Sequence, residues 1–196
     1  MVKLGVPIIS DEIYHGLVYG TERAHSILEY ADETDDVFVV NGFSKRFAMT
    51  GMRLGYLIAP KKYMRVLQTL QQNLLICAPS VSQKAGIEAL KNVYGEEVIR
   101  MRDTYDERRK FLIGRLREIG FRLATEPTGA FYVFADASMF TKDCYKFAFD
   151  ILDKCHVGIT PGIDFGTRGE GFVRFSYANS LENIKEAMNR LESILV

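Results

Sequence analysis

One stretch limits what this chain can fold into more than any other: Asn41-Gly42-Phe43-Ser44-Lys45-Arg46-Phe47-Ala48-Met49-Thr50-Gly51-Met52-Arg53-Leu54-Gly55-Tyr56. The apolar run Val37-Phe38-Val39-Val40 leads into it and reads as a buried strand that delivers Ser44 and Lys45 to the loop where it ends. Burial disfavours an ammonium ion, and a neutral amine can attack a carbonyl to form a Schiff base. Further on, Arg53 stands between Gly51 and Gly55, where a guanidinium can reach a phosphate while the backbone passes close by. Amine, hydroxyl and fixed cation at this spacing suit an aldehyde that carries a phosphate.

Gly42, Ser44, Lys45, Gly51, Arg53, Leu54 and Gly55 follow the order and spacing of the lysine-site signature of class I/II aminotransferases, and the stretch resembles that fold-type I family. An isolated Ser-Lys pair is most often a surface loop; the whole pattern is far more specific. The resemblance implies pyridoxal phosphate as cofactor and a C-terminal part of the large cofactor domain followed by a small α/β or α+β domain.

Composition and length allow a sizeable core and one or two domains. The chain has 196 residues, 47% hydrophobic, with 25 basic and 25 acidic side chains and a formal net charge of zero. A balanced charge argues against nucleic acid as the main partner, since that binding relies on clustered basic residues. The arginines between Arg100 and Arg117 alternate with acids, as on the solvated face of a helix. Cys77, Cys144 and Cys155 form no CxxC and no even framework, which fits reduced thiols and a cytoplasmic location. His15, His25 and His156 are far apart, so no metal site is expected. No apolar run is long enough to span a bilayer, and Met1 to Pro7 lacks a signal-like apolar region.

Along the chain, Val6 to Ser10 reads as a core strand with Asp11 at its carboxyl end, the end where open α/β sheets place ligands. A polar connection from Gly20 to Asp36, with a short helix near His25 to Tyr30, is long enough for a crossover to a parallel strand at Val37 to Val40. Arg53 to Ala59 reads as a third strand. Helices follow from Pro60 to about Asn73 and from just after Pro79 to about Tyr94, with Ser80 or Ser82 near the second cap. Gly95 is the expected boundary, giving domains 1–95 and 96–196. Beyond it Val98, Met101, Tyr105, Leu112 and Ile119 mark a long amphipathic helix ending at Gly120. Strands at Phe121 to Leu123, Ala130 to Ala135, Val157 to Ile159 and Phe172 to Phe175 then alternate with helices at Lys142 to Lys154 and Leu181 to Leu195, the last capped by Ser180.

The resemblance assigns roles residue by residue. Asp11 would pair with the cofactor's protonated ring nitrogen, Tyr14 would bond its ring hydroxyl, Ser44 and Arg53 would hold its phosphate, and Lys45 would carry it covalently and shuttle a proton. Gly171-Phe172-Val173-Arg174-Phe175-Ser176-Tyr177-Ala178 resembles the family strand whose arginine grips a substrate carboxylate, so Arg174 is the substrate-binding candidate. Thr160 to Gly166 and Pro127 to Tyr132 also resemble family segments. Arg46 and His15 receive no role, His15 being the kind of histidine most often found in turns.

The implied activity is amino transfer from an amino acid to a 2-oxo acid in a homodimer. Family members carry a large region before the strand at Val6, so the chain reads as a C-terminal fragment expected to be inactive alone and to associate through exposed sheet edges. Two alternatives stay open: a carbon–sulfur lyase of the same fold, whose members often have histidine at the position of Tyr14, and a non-catalytic ligand-sensing or fragment module.

Overall fold

The structure is a computed structural model that describes residues 4–20 and 23–196. Met1 to Lys3, read above for a signal segment, lie outside the described residues, as do Thr21 and Glu22 of the polar connection. The chain divides into two compact units, Met1–Arg100 and Met101–Val196.

The first unit is built on a three-stranded sheet in the order β1 (Ile8–Asp11), β2 (Val37–Gly42), β3 (Gly55–Ile58). β1 and β2 run parallel, with Ile8 opposite Val37 and Asp11 opposite Val40, as the long connection requires. β3 returns antiparallel, pairing Val39 with Ile58 and Gly42 with Gly55. Val37 and Val39 point into the core with Phe43, Leu17 and Tyr19. β1 is not the core strand its apolar run suggests: it lies at the sheet edge, and Ile9 is 75% exposed. The expected third strand is shorter, because Thr50–Met52 forms a 3₁₀ turn and Arg53 closes it in the left-handed region at φ 50°. α1 (Met64–Leu74) and α2 (Ser80–Lys91) follow. α2 starts directly after Pro79, as expected, with Ser80 next to the N-cap but no side-chain cap hydrogen bond.

α3 (Glu96–Ile119) contains the division between the two units, which falls after Arg100. Its carboxyl-terminal half buries Leu112, Ile113, Leu116 and Ile119, the i, i+4, i+7 stripe of an amphipathic helix. The second unit sets these side chains with an antiparallel sheet in the order β4 (Tyr132–Asp136), β6 (Phe172–Ser176), β5 (Thr160–Pro161), and with α4 (Cys144–Cys155) and α5 (Leu181–Leu195). Alternation buries Val133, Ala135, Val173 and Phe175, while Ile184, Met188 and Leu191 form the buried face of α5. The Ser180 Oγ accepts from the Asn183 N–H at 3.2 Å, so the anticipated N-cap is present. Phe121 to Leu123 provides only a single bridge, Arg122 with Asp136, and strand pairing begins at Thr160 rather than Val157.

α4 has a further tie. Glu170 Oε1 accepts from the Cys144 N–H at 2.7 Å, at the first turn of α4, and from the Gly171 N–H at 3.0 Å. These bonds, the one from Cys144 foremost, hold the Glu170 carboxyl below its ordinary value of 4.5. A depressed carboxylate stabilises the fold above that ordinary value, and the contribution is lost as pH falls through the lower folded-state value. Thermal melting followed by circular dichroism should therefore show a fall in Tm from about pH 6 to about pH 3 that is smaller in Glu170→Gln than in the parent. Leu116, wholly buried, sets the other expectation: Leu116→Ala should cost about 2–5 kcal/mol, read as a lower urea midpoint.

Candidate active site

Three segments of the first unit meet at one end of its sheet. Because β1 and β2 are parallel, Asp11 and Val40 sit side by side, and the turn after Asp11 and the loop after Gly42 leave from the same end. The Glu12 N–H bonds the Val40 carbonyl at 2.9 Å and extends that pairing past the strand. Because β3 is antiparallel, its first residue, Gly55, lies opposite Gly42, and the Phe43 N–H donates to the Leu54 carbonyl at 3.2 Å. Asp11 to Tyr14, Ser44 with Lys45, and Arg53 are therefore brought to one end of the sheet.

Asp11 is exposed there, and its Oδ1 accepts from the Ile13 N–H at 3.1 Å, which fixes the carboxylate on its turn. The Lys45 Nζ lies 5.8 Å from the centroid of the Tyr14 ring, so the lysine and tyrosine singled out by the sequence are neighbours. Lys45 and Ser44 are half-buried on a turn closed by the Phe47 N–H to the Phe43 carbonyl at 3.2 Å. Arg53 is exposed, and its Nη1 donates to the Thr50 carbonyl at 2.9 Å. It is a left-handed cap and not a strand residue, a conformation for which the flanking glycines were the only hint.

Arg174 belongs to the second unit. It lies on the middle strand, β6, opposite Phe134 and Thr160. Its guanidinium carbon stands 4.2 Å from the Tyr132 ring centroid and 4.7 Å from that of Phe165, and its Nη2 donates to Thr160 Oγ1 at 3.3 Å. Two rings fix the plane of the fork, a preorganisation that suits a carboxylate.

Sequence reasoning overlooked Glu12. Its Oε1 accepts from Ser10 Oγ at 3.1 Å, Ser26 Oγ at 3.0 Å and the Ile27 N–H at 2.9 Å, tying the polar connection to the turn after β1. His15 Nδ1 lies 3.4 Å from Glu12 Oε2, in keeping with a turn histidine. Among the described residues no group of three or more His, Cys, Asp or Glu could hold a metal ion, and no helix is long and apolar enough to cross a membrane.

A parallel strand pair thus sets an acid beside a lysine loop, with a cation on the turn just before the returning strand. The chain belongs to the family described as aminotransferase class I and II, which matches residues 1–191. It is 40% identical over 188 residues to a (5-formylfuran-3-yl)methyl phosphate transaminase of Methanocaldococcus jannaschii, covering 96% of this chain and 50% of that protein. It is 41% identical over 191 residues to a valine–pyruvate aminotransferase of Mycobacterium tuberculosis, covering 97% and 49%. An aromatic aminotransferase structure from Pyrococcus horikoshii superposes with a TM-score of 0.91 at 38% identity, covering 99% of this chain and 52% of that one. The chain thus spans about half the length of these relatives and corresponds to the C-terminal part of the fold. Nothing in these relatives favours the lyase or ligand-sensing alternatives.

Members of this family use pyridoxal phosphate. The donor types gathered at this end of the sheet are ones that would suit that group: a carboxylate, a phenol, an amine, and a hydroxyl with a guanidinium.

Proposed function

We propose that this chain carries the lysine half of an aminotransferase that moves an amino group from an amino acid to a 2-oxo acid. The observation that carries the reading is the convergence of Asp11, Tyr14, Lys45 and the Arg53 turn at one end of a single sheet. Pyridoxal phosphate, when bound, supplies an aldehyde to link to an amine and a ring that draws electrons away from the substrate Cα.

The residues divide the work. Asp11 keeps the ring nitrogen protonated by offering it a carboxylate, and Tyr14 donates to or accepts from the ring hydroxyl. Ser44 and Arg53 bind the phosphate, the arginine as a fixed positive fork. Lys45 would hold the cofactor through its Nζ and, with a substrate bound, would serve as the base that takes the proton from the substrate Cα. Proton transfer by a positioned group is worth about 10²–10⁴ in rate. Arg174 grips the substrate α-carboxylate. On this reading residues 1–95 contribute to the cofactor domain and 96–196 form the small domain, in a cytoplasmic homodimer.

Titration of the 196-residue chain with pyridoxal phosphate should give a visible band, borohydride reduction should bleach it and leave a covalent label on Lys45, and Lys45→Ala should lose both band and label. A label spread over surface lysines, unchanged in that variant, would sink the assignment. In the assembled enzyme Arg174→Lys should raise KM for the amino acid about tenfold or more, the scale of a lost charge-assisted bond, while the cofactor band stays as it is.

A further inference from the structure

We infer that Arg46 and Gly16 form an interlocking pair that sets where the Lys45 amine sits, with Arg46 as a positioning residue. The inference rests on the reading of Lys45 as the cofactor-bearing lysine.

Arg46 follows Lys45 directly, yet no ion pair accounts for its place among the described residues. Its Nη2 donates to the Val93 carbonyl at 2.9 Å, just past the carboxyl end of α2, where a cation also meets the helix dipole favourably. Its guanidinium carbon lies 5.5 Å from the Tyr94 ring centroid and 5.8 Å from that of Phe47. Its Nε is buried and donates no hydrogen bond among the described residues. A buried donor left without a protein partner costs about 1–3 kcal/mol, so the path of this side chain is imposed on it by its surroundings.

Gly16 imposes it. A Cβ at position 16 would stand 2.3 Å from Arg46 Cδ, 2.5 Å from Cγ and 2.7 Å from Nε, so the arginine stem occupies the space where any other residue would carry a side chain. Gly16 is not in the left-handed region, so the contact and not the backbone requires glycine here. Gly16 lies in the turn closed by the Leu17 N–H to the Tyr14 carbonyl at 2.8 Å. One side of the pair therefore belongs to the turn that carries Tyr14, and the other to the loop that carries Lys45. Their contact fixes the separation of turn and loop, and the bond to Val93 fastens both to the end of α2. The 5.8 Å between the Lys45 amine and the Tyr14 ring is the distance this contact governs.

The test uses the full 196-residue chain and the variants Arg46→Met, Arg46→Lys, Gly16→Ala and the Gly16→Ala/Arg46→Met double. Without cofactor, acetic anhydride labelling mapped by mass spectrometry gives the reactivity of Lys45 relative to exposed Lys61, with far-UV circular dichroism as the check on folding. Each single variant should change that ratio by about threefold or more, and the double should go no further than the larger single, as expected for residues acting through one contact. Arg46→Lys, which keeps the charge but not the fork, should fall between parent and Arg46→Met. With pyridoxal phosphate added, the visible circular dichroism of the bound cofactor should change in the same variants, a signature that loss of stability alone does not move. An unchanged ratio in folded single variants, or independent effects that multiply in the double, overturns the pair. If Arg46→Met and Gly16→Ala fail to fold, Arg46→Lys decides: a parental ratio overturns the inference. A parent chain with no band on Lys45 defeats the proposed function instead, while the labelling ratio still decides the pair.

Discussion

β2 is hydrogen-bonded on both sides, in parallel to β1 and antiparallel to β3, and this mixed pairing decides which chain ends meet. Parallel pairing places the carboxyl ends of β1 and β2 together; antiparallel pairing places the start of β3 beside them. An all-parallel arrangement would carry Arg53 to the opposite end of the sheet. The return is tight: a Cβ on Gly42 would lie 3.1 Å from the Leu54 carbonyl oxygen, and one on Gly55 3.1 Å from that of Asn41. The glycine pair allows β3 to close against β2, and the left-handed Arg53 just before it aims the chain into that return. A slip of one residue in this register would turn the faces of β2 over and lose Val37 and Val39 from the core.

The second unit positions its arginine by a different means. Val173 and Phe175 are buried on one face of β6, which by alternation puts Arg174 on the other. That face is lined with rings: Phe134 stacks on Phe172 at 5.1 Å, and Tyr132 and Phe165 flank the guanidinium. A lysine there would keep the charge but lose the planar stacking that fixes the fork. The aromatic wall thus serves direction, whereas the buried aliphatic face serves stability.

How much of this was legible in the sequence depends on how local each cause is. α3 and α5 could be read almost to the residue, because helix periodicity and an N-cap serine are local signals. The lysine loop was legible for a related reason: chemistry demands particular residue types at fixed spacing, and all of them lie in one short stretch. Strand limits were less legible, since Phe121 to Leu123 and Val157 to Ile159 have strand-like composition but lack the partners that turn composition into a ladder. Arg53 was misread as a strand residue because its turn is set by the closing of β3. Arg46 gave no signal at all, since its neighbours Gly16 and Val93 lie far from it in sequence.

The two units also differ in what holds them. The second buries a continuous aliphatic and aromatic core, whereas in the first α1 buries none of its residues, and Leu74, Leu75 and Ile76 are each at least 75% exposed. The buried core of the first unit is correspondingly small, with Leu17, Tyr19, Val37, Val39 and Phe43 as its large apolar side chains. Where side-chain burial is sparse, a hydrogen bond to a helix end or a carboxylate that gathers three donors carries proportionately more of the positioning. Glu12 does this for the turn after β1, and Arg46 does it for the loop of Lys45. Asp11, Tyr14, Ser44, Lys45 and Arg53 lie in the unit with the smaller buried core, so those polar ties contribute to their placement.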